Sequence, residues 1–69
     1  MKDRITLFCN RYIYTGEIVV ETPNYIELKN AGIVYETGDF NKKGWKDYQA
    51  LPHNWLVYKH SIESSGFLK

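Results

Sequence analysis

Few residues of this chain have the types and spacing that catalysis or metal binding requires. The two histidines, His53 and His60, are seven residues apart, and the single cysteine, Cys9, lies far upstream. Zinc sites need ligands at close spacing, such as Cys-x-x-Cys or His-x-x-x-His, and no such pair occurs. A Gly-x-Ser-x-Gly motif, a phosphate-binding loop and usefully spaced paired carboxylates are also absent from the sequence. We therefore predict that the chain is not an enzyme and that it has no metal site and no cofactor.

An ordinary structural role is the favoured interpretation for each of these three residues. Cys9 shares a strand face with Ile5 and Leu7, which is typical of a buried and unreactive thiol. A catalytic thiol would need a base beside it, and the neighbouring sequence offers none. We expect His53 in a loop and His60 in a connection between strands, with ligand contact as the alternative for His60.

Aromatic residues are the most informative feature, because the chain has eleven of them, 16% of its length. A domain this small cannot bury all of them. Candidates for the core are Phe8, Tyr14, Trp55 and Tyr35, and some exposed rings are expected among Tyr12, Tyr25, Phe40, Trp45, Tyr48 and Tyr58. Exposed rings serve either to stack nucleic-acid bases or to form a subunit interface. The sequence leaves both alternatives open.

Charge is nearly balanced, with nine Lys and Arg against eight Asp and Glu, a net charge of +1. Proteins that bind nucleic acid usually carry a clear basic excess. One local cluster, with Lys42, Lys43, Trp45 and Lys46, is basic and includes an aromatic ring, so it could contact phosphate or form a solvated loop. An assembly of several copies would repeat the cluster, and multivalency would strengthen weak contacts.

The length of 69 residues predicts a single domain over residues 1–69. Hydrophobic residues make up 43% of the chain, too many for a disordered segment. One core of this size contributes only about 3–5 kcal/mol, so support from a partner subunit or a ligand is expected. We expect no membrane span and no signal peptide, and the single cysteine favours the cytoplasm.

Alternation of apolar and polar residues predicts strands along most of the chain. Residues 4–9, 12–21, 25–29, 33–36 and 55–59 are strand-like, and residues 62–68 could form a closing strand. Gly16 lies inside the second segment, where a glycine permits a sharp bend. Residues 38–54 are expected to be irregular, with 45–51 either a loop or a helical turn. The prediction is an all-β fold, a small five-stranded SH3-like barrel with strongly bent strands and little or no helix.

Two stretches resemble the motifs of the Sm-like family of small β-barrels. Residues 14–20 and 25–31 resemble the first motif. In this motif an aromatic residue stands two positions before a glycine, here Gly16, and an aliphatic residue stands two positions after it. The strand that follows ends in Leu-x-x-Ala. Residues 56–62 resemble the second motif, an apolar strand followed by a one-turn connection and Ile62. The tract of the first motif, with Thr37-Gly38-x-Phe40 after it, is similar to short proteins encoded by tailed phages and prophages. The resemblance spans residues 4–64 and consists mostly of packing residues.

The resemblance implies both a binding site and an assembly. Asn24 and Tyr25 fall near the loop in which Sm-like proteins hold RNA bases, and Lys59 and His60 replace the Arg-Gly pair of the second motif. Asn24 and Tyr25 would then stack and hydrogen-bond bases, Lys59 and His60 would face them, and the cluster of Lys42, Lys43, Trp45 and Lys46 would meet phosphate. Sm-like proteins usually form rings through their edge strands, so a homo-oligomer is expected.

The resulting hypothesis is a self-assembling, non-enzymatic β-barrel that binds RNA, other single-stranded nucleic acid or a nucleotide. The first alternative is a phage accessory protein that counters host defence in the host cytoplasm, by sequestering a nucleotide signal or by binding a host protein. The second is a structural subunit whose aromatic residues serve only self-assembly.

Overall fold

The structure, a computed structural model, describes residues 4–68, which form six β-strands and one 3₁₀ turn. The strands are β1 (Arg4–Cys9), β2 (Ile13–Glu21), β3 (Tyr25–Glu36), β4 (Asp47–Ala50), β5 (Trp55–Tyr58) and β6 (Ile62–Gly66), and the 3₁₀ turn is Lys59–Ser61. The predicted all-β class is confirmed, since this part of the chain contains no α-helix. Accordingly, no helix within residues 4–68 is long and apolar enough to cross a membrane.

All six strands belong to one antiparallel sheet. Its order is β4-β3-β2-β1-β6, and β5 pairs with the first part of β3. β1 is therefore flanked by β2 on one side and by β6 on the other. No pairing within residues 4–68 joins β6 to β4 or β5, so hydrogen bonds do not close this sheet. The sheet has one strand more than expected, and a closed five-stranded barrel stays a prediction.

β3 is the longest strand, and it bends midway, where its pairing with β2 shifts in register. Asn30 has a positive φ of 49°, and the β2–β3 register shifts between Thr15 and Glu17. Gly16 lies at this shift, where the two backbones approach so closely that no side chain fits easily. The bend divides the edge of β3 that faces away from β2 into two parts. Tyr25 to Leu28 pair with β5, and the part from Gly32 onward pairs with β4.

The substitution Gly16→Ala is expected to destabilise the protein by about 1–3 kcal/mol, the usual cost of overpacking. A Cβ atom at this position would lie 3.0 Å from the Leu28 Cβ and 3.1 Å from the Ala31 Cα, and neither atom can move without the backbone. Gly66→Ala is the matched control, because its nearest neighbour would be 4.0 Å away, and it should change stability by less than about 0.5 kcal/mol. Urea unfolding measures the stability of both variants. Equal midpoints would contradict a close approach of the two backbones at Gly16.

The core lies on one face of the sheet. Its buried members are Ile5, Leu7, Ile26, Leu28, Ala31 and Val57, and Cys9, Tyr14, Leu51 and Ile62 pack against them. Along β5, Val57 is 3% exposed while its neighbours Leu56 and Tyr58 point outward. The predicted alternation of β1, β3 and β5 is therefore correct for these residues.

The opposite face of the sheet is also covered near its middle. Thr6 and Thr15 are partners across β1 and β2, and both are buried. Gly32 continues this row on β3, and the ring of Tyr48 occupies the space that a side chain at Gly32 would need. This contact explains why Asp47–Ala50 is a strand, although the sequence indicated only a loop or a helical turn.

Two of the four aromatic residues expected in the core are exposed instead. Phe8 and Tyr14 are half-buried, whereas Trp55 is 37% exposed and Tyr35 is 50% exposed. Tyr35 lies near the end of β3 and donates a hydrogen bond from its hydroxyl to the Gln49 side chain at 3.1 Å. The buried hydrophobic residues within residues 4–68 are all aliphatic, so the expectation for Trp55 and Tyr35 was wrong.

Candidate functional site

The turn between β2 and β3 is held beside the 3₁₀ turn. The Thr22 hydroxyl accepts hydrogen bonds from the backbone N–H groups of Asn24 and Tyr25, at 3.2 and 3.0 Å. This is a local side-chain cap of the kind that Thr often forms in turns. The backbone N–H of Lys59 then donates to the Asn24 carbonyl at 2.8 Å, which joins the two turns.

Three rings lie in series at this end of the sheet. Tyr25 and Tyr58 are partners across β3 and β5, and their rings meet edge to face with centroids 6.2 Å apart. The ring of His60 lies 6.2 Å from that of Tyr58, with the two planes tilted by 30°. We name Tyr25, Tyr58 and His60 the ring series. Its central member, Tyr58, is 52% exposed, so a planar ligand can reach it.

Four of the predicted site residues therefore come together here. Asn24 and Tyr25 begin β3, and Lys59 and His60 form the 3₁₀ turn that packs beside them. Tyr58 was missed as a site residue, because the sequence analysis gave it only as one of six aromatic residues among which some exposed rings were expected. Its signal was the alternation in β5, which places Tyr58 outward, on the face shared with Tyr25.

Lys59 is held by an ion pair and is less available to a ligand than the sequence suggests. Its Nζ atom donates to a carboxylate oxygen of Glu21 at 2.9 Å, and the Lys59 side chain is 34% exposed. The carboxylate offsets the positive charge beside the ring series. The site therefore presents aromatic surface and amide groups more than charge.

The basic cluster of the loop lies elsewhere. Lys42, Lys43, Trp45 and Lys46 line one open depression of about 380 Å³, together with Asp39. This loop follows Glu36 at the end of β3, whereas the ring series lies where β3 begins, at Tyr25. Lys46 also pairs with Glu36 at 3.4 Å, with both side chains largely exposed. The structure thus separates the predicted site residues into two groups at opposite ends of one strand.

Residues 4–68 hold no group of three or more His, Cys, Asp or Glu side chains that could bind a metal ion. Cys9 is a free thiol, half-buried beside the core. Burial raises the pKa of Cys9 above its ordinary value of 9.0, against a smaller lowering by its hydrogen bond with Ser61. Burial likewise raises the pKa of the Tyr14 hydroxyl, and Cys9 and Tyr12 add to this effect. Both groups therefore favour their neutral forms, which is the opposite of an activated nucleophile.

These shifts predict that folding stability falls in alkaline solution. A raised pKa in the folded state means that the unfolded chain loses the proton first, so the stabilisation is complete below the unfolded pKa of 9.0 and is lost as pH rises. We expect the urea midpoint of the wild type to fall between about pH 8 and 10, and that of Cys9→Ala to fall less steeply. Identical slopes for the two proteins would contradict a proton held more tightly by folded Cys9.

In comparisons with known proteins, no family model, no curated protein and no solved structure matches this chain. The description of the site therefore depends on its own residues, and the resemblance to Sm-like proteins stays a prediction.

Proposed function

We propose that this protein is a non-enzymatic binding module that takes the unpaired bases of single-stranded nucleic acid on the ring series. The observation that carries the proposal is the serial arrangement of Tyr25, Tyr58 and His60 with the central ring half exposed. Stacking of bases on aromatic side chains contributes about 1–3 kcal/mol per base and tolerates any sequence. Such a surface is effective without a large basic excess, in keeping with a net charge of +1.

The neighbouring turn supports the same ligand class. Asn24 is exposed beside Tyr25, and its side-chain amide offers both a donor and an acceptor to a base edge. The Thr22 cap and the bond from Lys59 to the Asn24 carbonyl hold this turn in one position. A prearranged site loses less conformational entropy on binding.

The test is fluorescence anisotropy of labelled single-stranded oligonucleotides, titrated with protein at several salt concentrations. Each phosphate contact on a single strand contributes about −0.7 to the slope of log K against log salt. Because Glu21 neutralises Lys59, binding on the ring series should give a shallow slope, equivalent to one or two contacts. A slope equivalent to three contacts would indicate the three loop lysines instead, and absence of binding at every salt concentration would refute the proposal.

We also propose that the fold is of the Sm-like barrel type and that the protein self-assembles. Support comes from the long bent β3, from the 3₁₀ turn between the last two strands, and from the return of β6 to β1. Within residues 4–68, β4, β5 and β6 each pair along one edge only, and open edges favour main-chain pairing between copies. Light scattering tests the assembly, and a monomeric mass would contradict it.

A further inference from the structure

A groove lies directly beyond the ring series, under the turn that joins β1 to β2. It has a volume of about 320 Å³, near the lower end of the range for small-ligand pockets. Its lining residues are Cys9, Asn10, Arg11, Tyr12, Tyr14, His60 and Ser61. The turn is fixed against the 3₁₀ turn, because the Asn10 N–H donates to the Ser61 carbonyl at 3.0 Å.

His60 belongs both to the ring series and to the lining of the groove. One side of its ring faces Tyr58 in the ring series, and His60 also borders the groove. Across the groove, Tyr12 and Tyr14 form a second ring pair, edge to face with centroids 6.3 Å apart. Aromatic side chains therefore line both the ring series and the groove, and His60 is common to the two.

Arg11 supplies the charge that the ring series lacks. It lies exposed at the mouth of the groove, and it forms no ion pair within residues 4–68. By contrast, Lys59 beside the ring series is paired with Glu21. A guanidinium can bind phosphate through two parallel hydrogen bonds and can also stack on a base.

We infer that this groove binds the next nucleotide of the same strand, with its base against Tyr12 and its phosphate on Arg11. The inference depends on the proposed function, because the groove receives a strand that the ring series already holds. It specifies the ligand as a single strand of at least three nucleotides, rather than a mononucleotide. His60 would contact the bases on both of its sides.

The experiment measures dissociation constants of labelled oligothymidylates of two to eight nucleotides for five proteins. These are the wild type, Tyr58→Ala, Arg11→Gln, Tyr12→Ala and the control Lys29→Gln, which removes a positive charge from β3, outside the groove. For the wild type, affinity should rise by about tenfold as length grows from two to four nucleotides, the effect of one added stacked base. Tyr12→Ala should abolish this gain, and Arg11→Gln should make the salt slope shallower by about 0.7. Lys29→Gln should behave as the wild type.

The outcomes separate the inference from the proposed function. If Tyr58→Ala weakens binding while Tyr12→Ala and Arg11→Gln keep both the length dependence and the salt slope, the groove inference is wrong and the ring series still binds. If no oligonucleotide binds the wild type, the proposed function fails and the groove inference fails with it. Arg11 and Tyr12 are exposed and lie outside the core, so loss of folding is not expected to mask the result.

Discussion

Leu28→Ala is expected to remove most of the folding stability of the protein. Leu28 is 0% exposed and packs among Leu7, Ile26 and Val57 at the centre of the core. Truncation of a buried leucine to alanine costs about 2–5 kcal/mol. A single core in a domain of this size contributes about 3–5 kcal/mol in total, so the loss approaches the whole stability.

The matched control is Leu56→Ala. Leu56 lies next to the core residue Val57 on β5, but its side chain points outward and is 44% exposed. Removing it should change stability by less than about 0.5 kcal/mol. Circular dichroism followed through a urea titration distinguishes the two variants. If Leu28→Ala unfolded at the same urea concentration as Leu56→Ala, the assignment of the core to this face of the sheet would be wrong.

Tyr58→Ala is expected to weaken binding of single-stranded oligonucleotides by about 5- to 150-fold. The loss corresponds to about 1–3 kcal/mol for one stacked base. Tyr58 is the central ring of the series, so its removal separates Tyr25 from His60 and affects both neighbours. Because Tyr58 is 52% exposed, its truncation should have little effect on folding.

Two control variants make this result specific. Tyr58→Phe keeps the ring and should bind nearly as the wild type, because stacking needs the π-face and not the hydroxyl. Tyr35→Ala removes an equally exposed ring, 50% accessible, from the other end of β3 and should also leave binding unchanged. Equal weakening by Tyr58→Ala and Tyr35→Ala would indicate a general loss of aromatic surface and would contradict a localised site.

Local alternation predicted the parts of the fold in which one face of a strand is buried. The outward positions of Glu27 and Lys29 and the inward positions of Ile26 and Leu28 follow from a period-two pattern, and Gly16 lies at the register shift between β2 and β3. β4 could not be predicted in this way, because all four of its residues are exposed. Its pairing is decided by the second half of β3 and by the packing of Tyr48 on Gly32, both of which are tertiary effects.

The candidate site was predicted in part for a similar reason. The resemblance to Sm-like proteins directed attention to Asn24, Tyr25, Lys59 and His60, which the structure places together. It gave no indication of Tyr58, whose importance comes from its position across the ladder from Tyr25. The neutralisation of Lys59 by Glu21 joins residues far apart in the chain, and no local pattern contains that information.

The pairing of β1 with β6 has a consequence for synthesis of the chain. Thr6 pairs with Gly66, sixty residues further along, so one edge of β1 stays open until the last strand has been made. At about 5–20 residues per second, the ribosome takes about 3–12 s to cover that distance. During this interval the apolar residues of β1, Ile5 and Leu7, lack part of their native cover. After β1 has been made and before β6 has, this part of the nascent chain is open to aggregation and to chaperone binding, and its sheet can be completed only after β6 has emerged.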